Sequence, residues 1–238
     1  MSREAILAWQ PATVSTVRLE EHPAVFLLAF PTLASQGQMM NRIAALVEKA
    51  RAPRDRVLFD VELAALIAAS GDTAETFYFG HNYALSDVER FYALALRGGV
   101  VLNEHERWLE ARLPAIRSAG GPGPLAIITL PAQEDRLNAD ARRAMLEHEA
   151  GHGRFFTDLD YATYVLHVWR NVFNDRERAA FRTFLGREGY NTEDDVLMAN
   201  ETMAYLAFTP DRRSFDSRRD VSMDDDHAAR LRSAMAGR

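Results

Sequence analysis

The sequence predicts an α+β fold that is rich in helix and contains a small β-sheet. Two observations carry this prediction. Residues 13–30 and 125–130 contain short runs of apolar or β-branched residues, which are typical of strands. Elsewhere, most apolar residues recur at intervals of three and four positions, the spacing that places them on one face of a helix.

In the N-terminal half, strands come first and helices follow. Residues 13–19 are rich in β-branched side chains, and residues 24–30 form an apolar run between two prolines. The apolar residues of 36–51 lie on one helical stripe, and a second helix is predicted over residues 60–69, ended by Gly71. We expect these apolar residues to pack in the core.

Residues 76–85, TFYFGHNYAL, are rich in aromatic side chains and include His81. One interpretation is a substrate-facing element in which His81 makes a polar contact with the substrate. The other is a packed aromatic segment that holds a hydrogen-bonded histidine. The second is favoured, because a single histidine carries little information about function.

Two helices and a break are predicted next. One helix runs from Ser86 to about Leu96 and the other from Asn103 to about Ile116. Each starts with a capping residue that is followed three positions later by glutamate, the pattern of a capping box. The sequence Gly-Gly-Pro-Gly-Pro at residues 120–124 is the strongest break in the chain, and the strand of residues 125–130 follows it.

Beyond residue 160, three helices and a linker are predicted. Helical patterns cover residues 161–173 and 175–187, and Thr192 is the expected N-cap of a helix that reaches about Phe208. Residues 211–226 are dense in Arg, Asp and Ser, so an exposed and mobile linker is predicted there, followed by a short terminal helix.

Composition excludes several classes of function. The chain has no cysteine, which rules out disulfides, thiolate metal sites and thiol catalysis. Its net charge is −6 with acidic and basic residues interspersed, so nucleic acid is not an expected partner. No apolar run approaches the ~20 residues of a membrane span, and the N-terminus lacks the apolar core of a signal peptide. A cytoplasmic location is therefore expected, or a periplasmic or secreted one if a leader has been removed.

A helix that begins at about Asn138 contains the motif H-E-x-x-H at residues 148–152. Residues four apart share a helix face, with Cβ atoms about 5–6 Å apart, so His148 and His152 can bind one small cation. Neutral imidazole suits zinc, which in catalytic sites takes three protein ligands and a water. Glu149 lies close enough to reach that water. It can take a proton from it as a general base, because the metal lowers the water's pKa. Two polar histidines on an ordinary helix are the alternative interpretation.

A third ligand must come from farther along the chain. Glu201 lies in the otherwise apolar stretch LMANETMAYLAF, residues 197–208, where a carboxylate is costly to bury unless it is paired or bound to metal. An exposed glutamate on an amphipathic helix is the alternative. Glu177 and Glu188 lie among arginines, as on a solvated helix face. The remaining downstream candidates are His167, Glu193, Asp194 and Asp195.

The two motifs together resemble a known family. H-E-x-x-H at residues 148–152 followed by N-E-x-x-A at residues 200–204 is similar to the gluzincin branch of the zinc metallopeptidases. The N-E-x-x-A form resembles the thermolysin-like and aminopeptidase-type members. The 48 residues between the motif's last histidine and the glutamate, residues 153–200, are more similar to the spacing of the lethal-factor and MtfA-like members. The resemblance covers about residues 125–209.

The resemblance implies a helix-rich, zincin-like α+β fold with a small β-sheet, a bound zinc ion (Zn²⁺) and a peptide or protein substrate. It implies that His148, His152 and Glu201 are the metal ligands and that Glu149 is the general base. It also implies that the strand at residues 125–130 is the sheet edge along which an extended peptide lies.

In enzymes of this kind a tyrosine or histidine usually donates a hydrogen bond to the oxyanion. Tyr190, in the turn before the ligand helix, is the first candidate for this catalytic role. Tyr205, His167 and His81 follow, and Tyr205 and His81 are also the candidates for substrate binding. Each of these side chains is more often structural than catalytic.

Three regions are predicted, although one continuous domain is an alternative. Residues 1–120 form an N-terminal α/β region of unknown role, residues 121–210 the zincin-like catalytic region, and residues 211–238 a charged tail. The predicted function is a zinc-dependent metallohydrolase, most simply a peptidase. The alternatives are a binding or regulatory protein that keeps a zincin scaffold without turnover, and a zinc hydrolase of a non-peptide amide.

Overall fold

A computed structural model describes residues 1–237. Helices take up 57% of the chain and surround one small mixed sheet, so the predicted helix-rich α+β class is confirmed. In chain order the elements are α1 (Arg3–Ala8), β1 (Ser15–Arg18), β2 (Val25–Phe30), α2 (Leu33–Val47), α3 (Asp60–Ser70), β3 (Asn82–Ala84), α4 (Leu85–Arg97), α5 (Glu104–Glu110), α6 (Leu113–Gly120), β4 (Ala126–Pro131), α7 (Ala139–Thr157), α8 (Leu159–Asn171), α9 (Asp175–Arg187), α10 (Asp195–Phe208), α11 (Ser217–Val221) and α12 (Asp225–Ala236).

The sheet has the strand order β1-β2-β4-β3. β2 and β4 are parallel, with Val25 opposite Ala126, whereas β1 and β3 pair antiparallel to their neighbours. All six residues of β2 and all six of β4 are buried, as expected for apolar strands that are covered on both faces.

The implied position of residues 125–130 at the sheet edge is wrong. β3 pairs with the outer side of β4, with Asn82 opposite Ile128, and β3 is itself the edge strand. A long apolar strand gains from partners on both sides, and a three-residue edge strand leaves few backbone groups unpaired. β3 lies inside the aromatic segment at residues 76–85, where no strand was predicted.

Alternate residues of β2 face two different parts of the core. Phe26, Leu28 and Phe30 pack with α2, α4, α5 and α6 on one face of the sheet. Val25, Leu27 and Ala29 pack with α1 and α7 on the other face. A third apolar cluster lies among α8 to α12, with Phe155 joining it from α7.

Two glycines let α7 approach its neighbours closely. A Cβ atom at Gly151 would lie 2.7 Å from Cδ2 of Phe208 on α10, and one at Gly153 would lie 2.8 Å from Cγ1 of Val25 on β2. Gly153 therefore serves packing in a helix that continues to Thr157. The expected cap of α7 is present, since Oδ1 of Asn138 accepts a hydrogen bond from the backbone N–H of Ala141.

Two predicted helix caps are wrong. α4 starts at Leu85 rather than at a Ser86 cap, because β3 runs directly into the helix and the Leu85 N–H donates to the Leu125 carbonyl oxygen. Asp194, not Thr192, caps α10 by accepting from two backbone N–H groups. The capping box at Asn103 is confirmed, but the helix that it starts is divided into α5 and α6.

The C-terminal tail is anchored to the rest of the chain, so residues 211–226 do not form a linker, although most of them are exposed as predicted. Phe215, Val221 and Met223 are buried in the cluster formed by α8 to α12. The predicted terminal helix is present as α12. Glu177 does not lie on a solvated face, because it is 3% exposed and accepts from Arg230 of α12. Three buried apolar side chains anchor a segment whose charged residues are mostly exposed.

Within residues 1–237, no helix combines the length and the apolar character that crossing a membrane requires.

Candidate metal centre

Three side chains from two helices converge on one point. His148 and His152 of α7 face each other with Nε2 atoms 3.0 Å apart, and Oε2 of Glu201 on α10 lies 3.7 Å from Nε2 of His152. One ligand atom of each residue lies within 4.8 Å of the others. Two zinc bonds of about 2.0–2.1 Å at the tetrahedral angle place donor atoms about 3.3 Å apart. The three groups are therefore close to the separation that one metal ion requires.

The second ring nitrogen of each histidine is held by a polar partner. Nδ1 of His152 lies 2.9 Å from the side-chain carbonyl oxygen of Asn200, which can only accept. Nδ1 of His148 lies 2.8 Å from Oγ1 of Thr209, whose hydroxyl donates to the Ala204 carbonyl oxygen. Both Nδ1 atoms must then be the donors, so each Nε2 atom carries a lone pair. Such partners orient the imidazole rings of many metal sites.

The resulting arrangement leaves buried polar atoms without hydrogen-bond partners. The Nε2 lone pairs of His148 and His152 point at each other and cannot form a hydrogen bond between them. Glu201 is fully buried, and neither of its carboxylate oxygens has a hydrogen-bond partner of ordinary geometry. Buried polar atoms almost always have partners. A metal ion would supply one partner to all three groups, so the residues present fit such an ion.

The protonation states of the two histidines favour metal binding. Burial lowers the pKa of His152 to about 4 and the pKa of His148 well below its ordinary value, so both rings are neutral near pH 7. Burial raises the pKa of Glu201 far above its ordinary value, and the nearby Glu48 and Glu149 carboxylates raise it further. A divalent cation at the site would reverse that effect, because it would stabilise the charged carboxylate.

Glu149 lies beside His148, His152 and Glu201, and a residue of the edge strand of the sheet holds it in place. The side-chain amide of Asn82 on β3 donates to Oε2 of Glu149 at 3.0 Å. A Cβ atom at Gly80 would lie 2.0 Å from Oε1 of Glu149, so a side chain there would displace the carboxylate. Burial raises the pKa of Glu149 to about 8. Neither Asn82 nor Gly80 was predicted as a site residue, and their one signal in the sequence is their place beside His81 in an aromatic segment.

Two tyrosines that were predicted for the site line the same cavity as His148 and Glu149. The Tyr205 ring lies 4.8 Å from the His148 ring, centroid to centroid, in an edge-on arrangement. Tyr190 is buried, and its hydroxyl partly offsets the rise that burial causes in the pKa of Glu201. Burial, followed by the charge of Glu201, raises the pKa of both tyrosine hydroxyls, so each remains a donor at neutral pH.

The two other predicted histidines lie elsewhere. His81 is buried among aromatic rings, with its centroid 5.5 Å from that of Tyr78, and it lies outside the cavity wall. Burial lowers the pKa of His81 to about 3. This arrangement matches the packed aromatic segment that was favoured from the sequence. His167 is exposed on α8, where its Nδ1 atom lies 3.2 Å from the Asn171 side chain.

The cavity that leads to the candidate metal centre has a volume of about 860 Å³. Its lining includes the N-terminal half of α7, residues 49–51, the end of α3, residues 76–80 and residues 186–190. No protein-family model, no curated protein and no solved structure matches this chain. The interpretation of the site therefore depends on its own geometry and chemistry.

Proposed function

We propose that this protein is a zinc-dependent metallohydrolase, most simply a peptidase of the gluzincin type. The observation that supports it best is the pair of facing Nε2 lone pairs on His148 and His152 beside the unpartnered Glu201 carboxylate. Two neutral imidazoles and one carboxylate form a ligand set that suits zinc, and three protein ligands leave a coordination position free. When bound, zinc supplies a Lewis acid that polarises a carbonyl group and lowers the pKa of a water molecule.

Glu149 acts as the proton carrier. It takes a proton from the attacking water and delivers it to the leaving nitrogen, which requires a pKa near the working pH. Burial raises the pKa of Glu149 to about 8, and a divalent cation bound beside it would lower that value. The hydrogen bond from Asn82 and the close approach of Gly80 hold the carboxylate in one place, so it need not be ordered during the reaction.

Tyr190 or Tyr205 stabilises the oxyanion. Both hydroxyls remain protonated at neutral pH, and both side chains line the cavity beside Glu149. Tyr190 is the stronger candidate because it is close enough to Glu201 to alter the pKa of that ligand. A donor at this place stabilises charge that develops only during the reaction.

The segment that leads into the edge strand supports a peptide as the substrate. β3 is the edge strand, and its residues Asn82 and Tyr83 are buried, whereas Phe79 and Gly80, which lead into it, line the cavity. The side chain of Phe79 is 43% exposed at this position, which provides an apolar contact for such a peptide.

Replacement of Glu149 tests the proposal. In Glu149→Gln we expect zinc to remain at one equivalent while hydrolysis of a peptide library falls by about 10²–10⁴-fold, since the proton carrier is lost. Glu147→Gln is the matched control, because Glu147 lies on the same helix outside the cavity wall. Unchanged turnover in Glu149→Gln would refute the assigned role. Zinc-loaded protein that cleaves no peptide would favour a binding protein or a hydrolase of another amide.

Zinc binding is tested separately by elemental analysis. The purified protein should contain about one zinc ion per chain, and Glu201→Ala should lose most of it because one of three ligands is removed. Equal zinc content in the two proteins would exclude Glu201 as a ligand.

A further inference from the structure

Lys49 stands out among the residues that line the cavity. It is the only lysine in a chain whose basic residues are otherwise arginine, with 28 lysines and arginines together. Its side chain is only 8% exposed, although lysine is rarely buried without a partner. Lys49 lines the same cavity as His148 and Glu149.

The ammonium group of Lys49 is held in place without being neutralised. Nζ lies 4.5 Å from the ring centroid of Phe77 and 4.0 Å from that of Tyr78, positions that stabilise a cation. It donates one hydrogen bond, of 3.3 Å, to the Glu188 carbonyl oxygen. Among residues 1–237 no carboxylate oxygen lies within the 4.0 Å of an ion pair with Nζ. An ammonium has three donors, so donors remain for a ligand.

The charges around the cavity favour an anion. The lining side chains include four cations, Lys49, Arg51, Arg136 and Arg187. Apart from Glu149, the acidic lining residues are Asp72 and Glu188. Burial lowers the pKa of Lys49, and the neighbouring Glu48, followed by Asp72 and Glu188, opposes that effect without forming an ion pair with it. An excess of cations in a cavity of a chain with a net charge of −6 attracts anionic ligands.

Backbone pairing connects Lys49 to the candidate metal centre. Lys49 forms a β-bridge with Tyr190, and the Ala50 N–H donates to the Gly189 carbonyl oxygen at 3.2 Å. Gly189 has a φ of +86°, and a Cβ atom there would lie 3.1 Å from Nζ of Lys49. The turn before α10 and the end of α2 are thus joined, so the ammonium has a defined position relative to Tyr190.

We infer that Lys49 is a specificity residue that binds a carboxylate group of the substrate. This inference rests on the proposed peptidase function and assigns a role to the N-terminal region, which supplies this wall of the cavity. The carboxylate belongs either to an acidic side chain of a peptide or to its free C-terminus. A charge-assisted hydrogen bond to a partly desolvated ammonium discriminates strongly against the neutral amide of the same shape.

Matched peptides test the inference. In a set of alanine-rich hexapeptides with amidated C-termini, a single Glu or Gln occupies each position in turn. At one position we expect kcat/KM of the zinc-loaded protein to be about tenfold higher, or more, for Glu than for Gln. The same Gln peptides with a free C-terminus distinguish recognition of the terminal carboxylate from recognition of the side chain.

Two variants assign the preference to Lys49. In Lys49→Met, which keeps the length of the side chain, the Glu-to-Gln ratio should fall to about one because the charged donor is gone. Arg176→Met is the matched control, because Arg176 is an exposed cation outside the cavity wall, and its ratio should equal that of the unmodified protein. A Glu preference that survives in a folded Lys49→Met protein would overturn the inference.

Binding to the zinc-free protein separates this inference from the peptidase proposal. Calorimetric titration with the same peptides should give about tenfold tighter binding for the preferred carboxylate peptide than for its amide, and this difference should shrink at high salt. Preferential binding without cleavage would leave Lys49 in its role and refute the peptidase. Cleavage of Glu and Gln peptides at equal rates, or equal affinities for both, would overturn the role of Lys49 even if Lys49→Met does not fold.

Discussion

The side-chain amide of Asn82 donates a 3.0 Å hydrogen bond to Oε2 of Glu149, which ties the carboxylate of α7 to the edge strand of the sheet. The other carboxylate oxygen, Oε1, faces Gly80, where a side chain would displace it. The edge strand of the sheet is therefore the element that positions the proposed proton carrier.

Asn82→Ala removes this support. We expect kcat to fall about tenfold with little change in KM or zinc content, because the carboxylate loses one hydrogen bond that orders it while the ligands are untouched. Steady-state kinetics and elemental analysis measure these quantities. Asn171→Ala, at an exposed position on α8, is the control. An unchanged kcat in Asn82→Ala would mean that the hydrogen bond does not contribute to positioning Glu149.

Asn200→Ala tests the orientation of a ligand. Without the side-chain carbonyl oxygen, Nδ1 of His152 has no acceptor, so the ring can turn and the proton can move to Nε2. Loss of such a partner typically weakens metal affinity about 10–100-fold. Competition with a chromophoric chelator measures zinc affinity directly. Thr209→Val should have a similar effect through His148, and zinc affinities equal to that of the unmodified protein would contradict the assigned tautomers.

The stability of the zinc-free protein should decrease as the pH rises from 6.5 to 8. Burial raises the pKa of Glu48 and Glu149 to about 8, so the folded protein keeps protons that the unfolded chain, with ordinary values, has already lost. For each proton that only the folded protein keeps, the free energy of unfolding falls by about 1.4 kcal/mol for every unit that the pH rises. The buried histidines, whose pKa is lowered, act in the opposite direction but mainly below pH 6.5.

Thermal unfolding at several pH values, with and without zinc, checks this expectation. Excess zinc should reverse the trend, because fewer protons compete for the ligands as the pH rises. Glu48→Gln should flatten the slope of the zinc-free protein without altering a ligand. A zinc-free protein that becomes more stable between pH 6.5 and 8 would contradict the raised pKa of these carboxyl groups.

Arg142 should contribute strongly to stability. It is 1% exposed, and its guanidinium donates to the backbone carbonyl oxygens of Pro131 and of Ile6, Leu7 and Trp9. Arg142→Met would leave these acceptors without their donors, so we expect the free energy of unfolding to fall by about 2–4 kcal/mol in urea denaturation. Arg143→Met, at the exposed neighbouring position, should change it by less than about 0.5 kcal/mol. Similar values for the two variants would show that these contacts are not stabilising.

Local sequence patterns were sufficient to predict much of the fold and part of the candidate site. The four-residue spacing of His148 and His152 places both rings on one helix face wherever the helix packs, and the apolar stretch around Glu201 indicated a buried carboxylate. The strands at the two apolar runs and the helix-rich class follow from local periodicity as well. None of these conclusions needs knowledge of which segments meet.

Other features depend on which segments meet, and no local pattern encodes that. The pairing of β3 with β4 placed Asn82 and Gly80 against Glu149 and moved the sheet edge away from residues 125–130. Packing against α9 and α10 buried Phe215 in a tail whose composition suggested solvent. Lys49 reached the cavity because backbone hydrogen bonds join two turns that are distant along the chain. Residue spacing sets which side chains share a face, whereas contacts across long sequence separations decide what that face meets.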